Sequence, residues 1–260
     1  MIKLKYCYHT HTFRCGHASG LDEDYVINAL KIGIKRLGFS DHVMLPGINQ
    51  SGVRGHFSMK EDYLSSIRKL QEKYKDQIDI KVGFEAEYAE RFTDYYRDLL
   101  SSGKTDYLIL GQHFDFDRSD NPHYIKQYAD NIPELYAYAD QVINGMRSGL
   151  FKHVAHPDLF VTMFKKWNQD CEKVTRMIVK EAVALDIPLE INMHARRFWR
   201  NKAGNLIYPY EKFWAIAGQY PVKVVVGYDA HHPSEFDNEL HFVNKLIAKY
   251  KLNFLEDYAI

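Results

Sequence analysis

The sequence predicts a single α/β domain spanning residues 1–260 and folded as a (β/α) barrel, TIM-like in plan. Three observations predict it. β-prone apolar runs alternate with segments of helical periodicity about seven or eight times, which implies a parallel sheet with helices outside it. Histidines and carboxylates recur just after those apolar runs, as they do where strand ends gather on one catalytic face. Finally, 260 residues with 46% hydrophobic content can enclose one large core, and no linker, repeat or low-complexity tract divides the chain.

The elements follow in order. Residues 2–8 are apolar and β-prone, and residues 22–35 have helical spacing. A short strand at 36–40 precedes Ser58-Met59-Lys60-Glu61, which reads as a capping box opening a helix to about Tyr74. Strand 78–84, helix 92–102 and buried strand 107–110 come next, then a helix over 127–147 with Pro133 marking a start or a kink. Strand 152–155, helix 170–185, strand 187–191, helix 210–217, strand 222–226 and a last helix over 233–250 complete the pattern. Residues 114–131 and 192–209 are polar, aromatic-rich stretches that read as long loops over a site.

Charge narrows the function classes. Lys+Arg and Asp+Glu number 34 each, so no long-range field favours nucleic acid or an anionic membrane. The start Met1-Ile2-Lys3-Leu4 runs straight into a strand, no apolar run would span a bilayer, and a cytoplasmic location is expected. Cys7, Cys15 and Cys171 form no disulfide framework and fit a reducing compartment. Cys15 lies among histidines, but without a C-x-x-C partner it reads as a small packed residue rather than a metal ligand.

The 13 histidines carry the chemistry. His9-Thr10-His11 follows the first strand, and alternation along a strand points both imidazoles one way. His17 follows in Cys15-Gly16-His17. Later strands end in Ser40-Asp41-His42, Gly83-Phe84-Glu85-Ala86-Glu87, Gly111-Gln112-His113, Ala155-His156-Pro157, Glu190-Ile191-Asn192 and Gly227-Tyr228-Asp229-Ala230-His231-His232. A single histidine at a strand end is usually a hydrogen-bonded packing residue. Seven successive strand ends converging on one basin instead describe a metal site, and its mixture of imidazole and carboxylate suits Zn, Mn or Fe.

This pattern resembles the PHP (polymerase and histidinol phosphatase) family over nearly the whole chain. His9-Thr10-His11-Thr12-Phe13-Arg14-Cys15-Gly16-His17-Ala18-Ser19-Gly20 is especially similar to its histidinol-phosphate phosphatases. The resemblance implies a distorted seven-stranded (β/α) barrel with three divalent metal ions. It places the first on His9, His11, Glu85 and Asp229, the second on Glu85, His113 and His156, and the third on His17, His42 and His231. The Gly-x-Glu match favours Glu85 over Glu87 as the carboxylate. It implies phosphate binding by Asn192 and Arg197, with Arg196 a competitor, since a guanidinium can contact a phosphoryl group with two bonds.

The expected reaction is hydrolysis of L-histidinol phosphate, a small phosphate monoester, to L-histidinol and phosphate in L-histidine biosynthesis, with a metal-bridging hydroxide as nucleophile. Three dications against two carboxylates leave a net charge of about +4, which calls for an anionic substrate. Asp41, His194 and His232 are candidate proton donors to the leaving group, although Asp41 could instead orient His42. Asp158 is open between supporting a ligand and capping a helix. Phe114, Asp115, Phe116 and Asp117 are candidates for holding the ammonium and imidazole, with Arg54 and His56 behind them. Alternatives are a phosphoesterase acting on nucleotides, an amidohydrolase, whose usual bridging lysine Glu85 replaces, and a non-catalytic metal-binding barrel. Oligomeric state is left open.

Overall fold

The computed structural model describes residues 2–195 and 204–260. Two parallel ladders form its sheet. The first is ordered β1 (Tyr6–Cys7), β2 (Arg36–His42), β3 (Asp79–Ala86), β4 (Tyr107–Leu110). The second is ordered β5 (Leu189–Asn192), β6 (Lys223–Gly227), β7 (Asn253–Phe254). Val154 joins them by parallel bridges to Leu110 and Leu189, and a bridge from Thr10 to Ala230 brings the far edges together. The result is a curled parallel sheet within an α/β fold. The expected strand at 152–155 is reduced to that bridge at Val154, and β7, which the sequence pattern did not suggest, pairs on β6 instead.

Helices α1 (Asp22–Lys31), α2 (Lys60–Tyr74), α3 (Thr93–Ser101), α4 (Ile132–Arg147), α5 (Gln169–Ala184), α6 (Glu211–Ala217) and α7 (His241–Tyr250) alternate with the strands. Local chemistry sets their ends. Asp22, Glu23 and Asp24 sit in the first turn of α1, where negative charge favours the unpaired amides. Asn131 accepts from the Glu134 amide to cap α4, with Pro133 in its first turn, and Asn168 caps α5. The Ser58 capping box does not form. His56 caps a short 3-10 turn over Phe57–Met59, and α2 begins beyond it. The expected 233–250 helix is split, because Pro233–Glu235 is a separate turn whose Glu235 carboxylate accepts the His231 amide at 2.7 Å.

β4 and β5 are buried at every position, as a sheet covered on both faces requires. Tyr6, Tyr8, Tyr107, Ile109, Ala155 and Val225 form an inner cluster, and the larger apolar cluster lies between sheet and helices. The Tyr107 hydroxyl donates to the carbonyls of Tyr8 and Phe39 at 2.9 and 3.0 Å, so a polar tip in the core is satisfied. No helix among the described residues is long and apolar enough to cross a membrane.

Candidate metal centre

The C-terminal strand ends supply the site. His42 closes β2 and Glu85 lies one residue from the end of β3. His9, His113, His156 and Asp229 follow their strands or bridge directly. His9, His11, Glu85, His156 and Asp229 are buried, as are His42 and His113. His231 is half-buried and His17 exposed, at the rim. His156 and Asp229 adopt φ of +30° and +49°, a left-handed backbone that L residues rarely take and that clusters at functional sites.

Glu85 is the hub. Its Oε2 lies 3.5 Å from His9 Nε2, 3.5 Å from His11 Nε2 and 3.1 Å from His42 Nδ1. Its Oε1 lies 2.8 Å from His156 Nε2 and 3.5 Å from His113 Nε2. Asp229 Oδ1 completes one side, 3.4 Å from His9 Nε2 and 3.0 Å from His11 Nε2. At the rim, His17 Nε2 and His231 Nε2 are 2.9 Å apart, and the His17 and His42 ring centres are separated by 5.5 Å. The thiol of buried Cys15 also falls within 4.8 Å of ligand atoms of His17 and His231.

Three carboxylates stand behind the imidazoles. His9 Nδ1 lies 3.0 Å from both oxygens of Glu190, His113 Nδ1 3.2 Å from Glu87, and His11 Nδ1 3.5 Å from Asp41. Each leaves Nε2 of its imidazole aimed inward. Glu87 is therefore turned away from the centre. It is paired with buried Arg54 at 2.9 Å, while Arg54 also donates to Gln50 and the Val43 carbonyl.

Electrostatics matches this arrangement. Burial alone would push Glu85 and Asp229 up. His113, His9 and His42 outweigh it at Glu85, and His9, His194 and His11 at Asp229, holding both well below the usual carboxylate range. Burial also opposes charge on His9 and His11, yet Asp229, Glu190 and Glu85 raise His9, and the neighbouring carboxylates of Asp229, Asp41 and Glu85 lift His11 to about 9. Burial lowers His42 and His231, reinforced by neighbouring imidazoles.

The residues fit divalent cations on an independent test. His9 Nε2, both His11 ring nitrogens, His42 Nδ1, His156 Nδ1 and Asp229 Oδ1 are buried without a hydrogen-bond partner among the described residues. Buried polar atoms are almost always paired, so so many orphans in one place mark a missing partner that takes lone pairs.

Several expected residues lie elsewhere. Asp41 sits behind His11 rather than His42 and accepts from the Thr12 hydroxyl. His232 is exposed and caps its own turn through Ser234. Asn192 is buried, its amide donating to Glu190 at 2.8 Å and Asp229 at 3.1 Å, which removes it from the phosphate. Phe114 is buried against Phe116 and Tyr124, Asp115 pairs with Arg118, and Asp117 accepts the amides of Glu90 and Arg91. His56 faces Ser58. Asp158 accepts from the Tyr210 amide and the Trp214 indole, anchoring α6. Arg196 and Arg197 lie outside the described residues.

A cavity of about 290 Å³ opens over the cluster, lined by His17, His42, Glu85, His113, Asp229 and His231 on one side. Tyr124, Lys126, His194 and Tyr208 line it elsewhere. The two tyrosines and Lys126 had no signal in the sequence, since they sit in loop stretches without period or motif.

A family model described as "PHP domain" matches residues 8–194. A Deinococcus radiodurans protein named "Probable histidinol-phosphatase" is 28% identical over 235 residues, covering 87% of this chain and 86% of its own. A Bacillus subtilis "Histidinol-phosphatase" is 23% identical, covering 87% and 93%. The solved histidinol phosphate phosphatase of Lactococcus lactis, complexed with zinc, L-histidinol and phosphate, superposes with a TM-score of 0.70 at 18% identity, covering 96% of this chain and 95% of that one.

Proposed function

The chain belongs to the PHP domain family, and from that premise we propose that it is a metal-dependent phosphomonoesterase that hydrolyses L-histidinol phosphate to L-histidinol and phosphate in L-histidine biosynthesis. The observation that carries the proposal is Glu85. One of its oxygens faces His9, His11 and His42 and the other faces His113 and His156, so one carboxylate can bridge two cations. We assign His9, His11, Glu85 and Asp229 to the first ion and Glu85, His113 and His156 to the second. His17, His42 and His231 form the third group, with Zn, Mn or Fe as the fitting metals. The curled sheet, with the Val154 bridge counted as a stave between β4 and β5 and β7 left outside the ring that the Thr10–Ala230 bridge closes, is read as the family's distorted seven-stranded barrel.

Bound divalent cations supply Lewis acidity and lower the pKa of coordinated water. The protein's own residues do the rest. Two carboxylates against three dications leave about +4, which selects a dianionic monoester over a neutral ester or amide. Arg196 and Arg197 stay assigned to the phosphoryl group as guanidinium donors. His194, whose ring centre is 4.5 Å from that of His231 and which lines the cavity, is the remaining candidate to protonate the leaving alkoxide. Tyr124 and Tyr208 offer aromatic faces to an imidazole and ammonium, replacing Phe114, Asp115 and Asp117 in that role.

The test is phosphate release after chelation and re-addition of Zn, Mn or Fe, with histidinol phosphate and nucleoside monophosphates side by side. Metal-restored release from histidinol phosphate, at least a hundredfold faster than from nucleotides, is the expected result. Faster turnover of the nucleotides, or turnover indifferent to metal, overturns the assignment.

A further inference from the structure

We propose that Glu190 and Asn192, on β5, form one clamp that presents His9 and Asp229 jointly to the same cation. Glu190 is buried, and both its oxygens lie 3.0 Å from His9 Nδ1. Nδ1 therefore carries the proton and donates it to the carboxylate, and the lone pair falls on Nε2, the atom 3.4 Å from Asp229 Oδ1. Asn192 ties the two halves together. Its amide nitrogen donates to Glu190 Oε1 at 2.8 Å and to Asp229 Oδ2 at 3.1 Å, using both hydrogens. Asp229 is thus held by one oxygen with the other left free, and its free oxygen and His9 Nε2 are among the orphaned atoms.

The neighbouring strand is shaped for this clamp. Gly227 ends β6 beside Asn192, and a Cβ there would stand 2.0 Å from Glu190 Oε2 and 2.3 Å from Glu190 Cδ. No side chain fits at 227 while Glu190 keeps its place. On the far side, His153 Nε2 lies 3.4 Å from Glu190 Oε2, so the carboxylate sits between two imidazoles and cannot swing away from His9 without meeting the other. Glu190 and Asn192 are positioning residues: they act on the metal through His9 and Asp229.

The experiment titrates chelator-stripped protein with zinc against a competing chelator, for the wild type, Glu190→Gln, Glu190→Ala and Asn192→Ala. Circular dichroism monitors folding. Glu190→Gln keeps shape and an acceptor oxygen, so it reports even if the alanine variants do not fold. The expected outcome is a Kd for one ion raised about tenfold in Glu190→Gln and about a hundredfold in the alanine variants, with the other ions unchanged. In zinc-loaded wild type, histidine ¹⁵N spectra should show His9 protonated at Nδ1, and in Glu190→Gln that proton should exchange faster. Zinc affinities within twofold of wild type in folded Glu190→Gln and a folded alanine variant overturn the clamp, as does a His9 ring protonated at Nε2. The inference rests on the metal reading of the site. Wild type that takes up no zinc sinks that reading, whereas normal uptake with indifferent variants sinks the clamp alone.

Discussion

Replacing Gly111 by alanine should disable the centre without substituting any proposed ligand. Gly111 follows β4, and a Cβ built on it would lie 2.0 Å from Glu85 Oε1, 2.5 Å from its Cδ and 2.6 Å from its Cγ. Ordinary contact begins near 3.4 Å, so the carboxylate must retreat by more than 1 Å. A surface glutamate would swing aside at little cost. Glu85 is buried with five imidazole nitrogens within 3.5 Å, and Oε1 is the oxygen turned to His156 and His113. Displacing it opens that half of the bridge. A misplacement of this size costs about a hundredfold in rate, and overpacking of a filled interior costs about 1–3 kcal/mol of stability. The assay pairs metal content by elemental analysis with phosphate release from histidinol phosphate, and circular dichroism confirms the fold. The variant should lose at least one ion equivalent and about two orders of magnitude in kcat. A folded Gly111→Ala enzyme with full metal content and wild-type kcat would refute the bridging role of Glu85.

Two further outcomes follow from buried charge. Arg54→Met strips buried Glu87 of its guanidinium partner and leaves it only the His113 imidazole, so urea unfolding should show a loss of about 3–5 kcal/mol; Arg54→Met/Glu87→Met should recover much of that stability yet not the activity, because His113 loses its oriented partner. Equal stability of single variant and wild type would count against the pair. Zinc binding should also release protons. His11, raised to about 9 by its carboxylates, is protonated at pH 7.5 in the metal-free protein and must be neutral to ligate, so calorimetry in buffers of different ionisation enthalpy should register at least one proton released at pH 7.5 and fewer near pH 10. Uptake that releases none would contradict the placement of His11 on a metal.

The alternation of strands and helices was legible because parallel strands buried on both faces leave continuous apolar runs, and Tyr107–Leu110 is one, found at its true bounds. The ligand positions were legible because chemistry at strand ends breaks those runs with histidine or acid. Strand extents were less so: residues 2–8 form pairs only at Tyr6–Cys7, where a neighbour lies in register, and Asn253–Phe254 is too short to leave a pattern. The supporting residues were the hardest. Glu190 was visible only as a strand-end acid, since its meaning lies in His9, 181 residues away. Phe114, Asp115 and Asp117 follow His113 directly, but adjacency does not set direction: the loop turns them to Tyr124, Arg118 and the 90–91 amides, while Tyr124 and Tyr208 take the cavity wall.

Closing the sheet and assembling the centre are one event. The seam between the ends of β1 and β6 consists of the Thr10–Ala230 bridge, with His11 donating its amide to the Ala230 carbonyl at 2.9 Å and Ala230 to the His9 carbonyl at 3.4 Å. Those backbone bonds lie between the side chains of His9 and His11 on one strand and Asp229 and His231 on the other. Cations held by these four side chains therefore pull on the seam, and their loss leaves orphaned ligand atoms beside it. Ligands that bind only the closed form stabilise it by mass action, and the gain is largest where they touch. Amide exchange should register this locally. Chelation should speed exchange at His11 and Ala230 by about tenfold or more, while amides at the start of the β2–β3 ladder, where Arg36 pairs with Asp79 at the end opposite His42 and Glu85, hold their rates. Unchanged protection at His11 and Ala230 after complete removal of metal would mean that the sheet closes on packing alone and that the cations occupy a site already made.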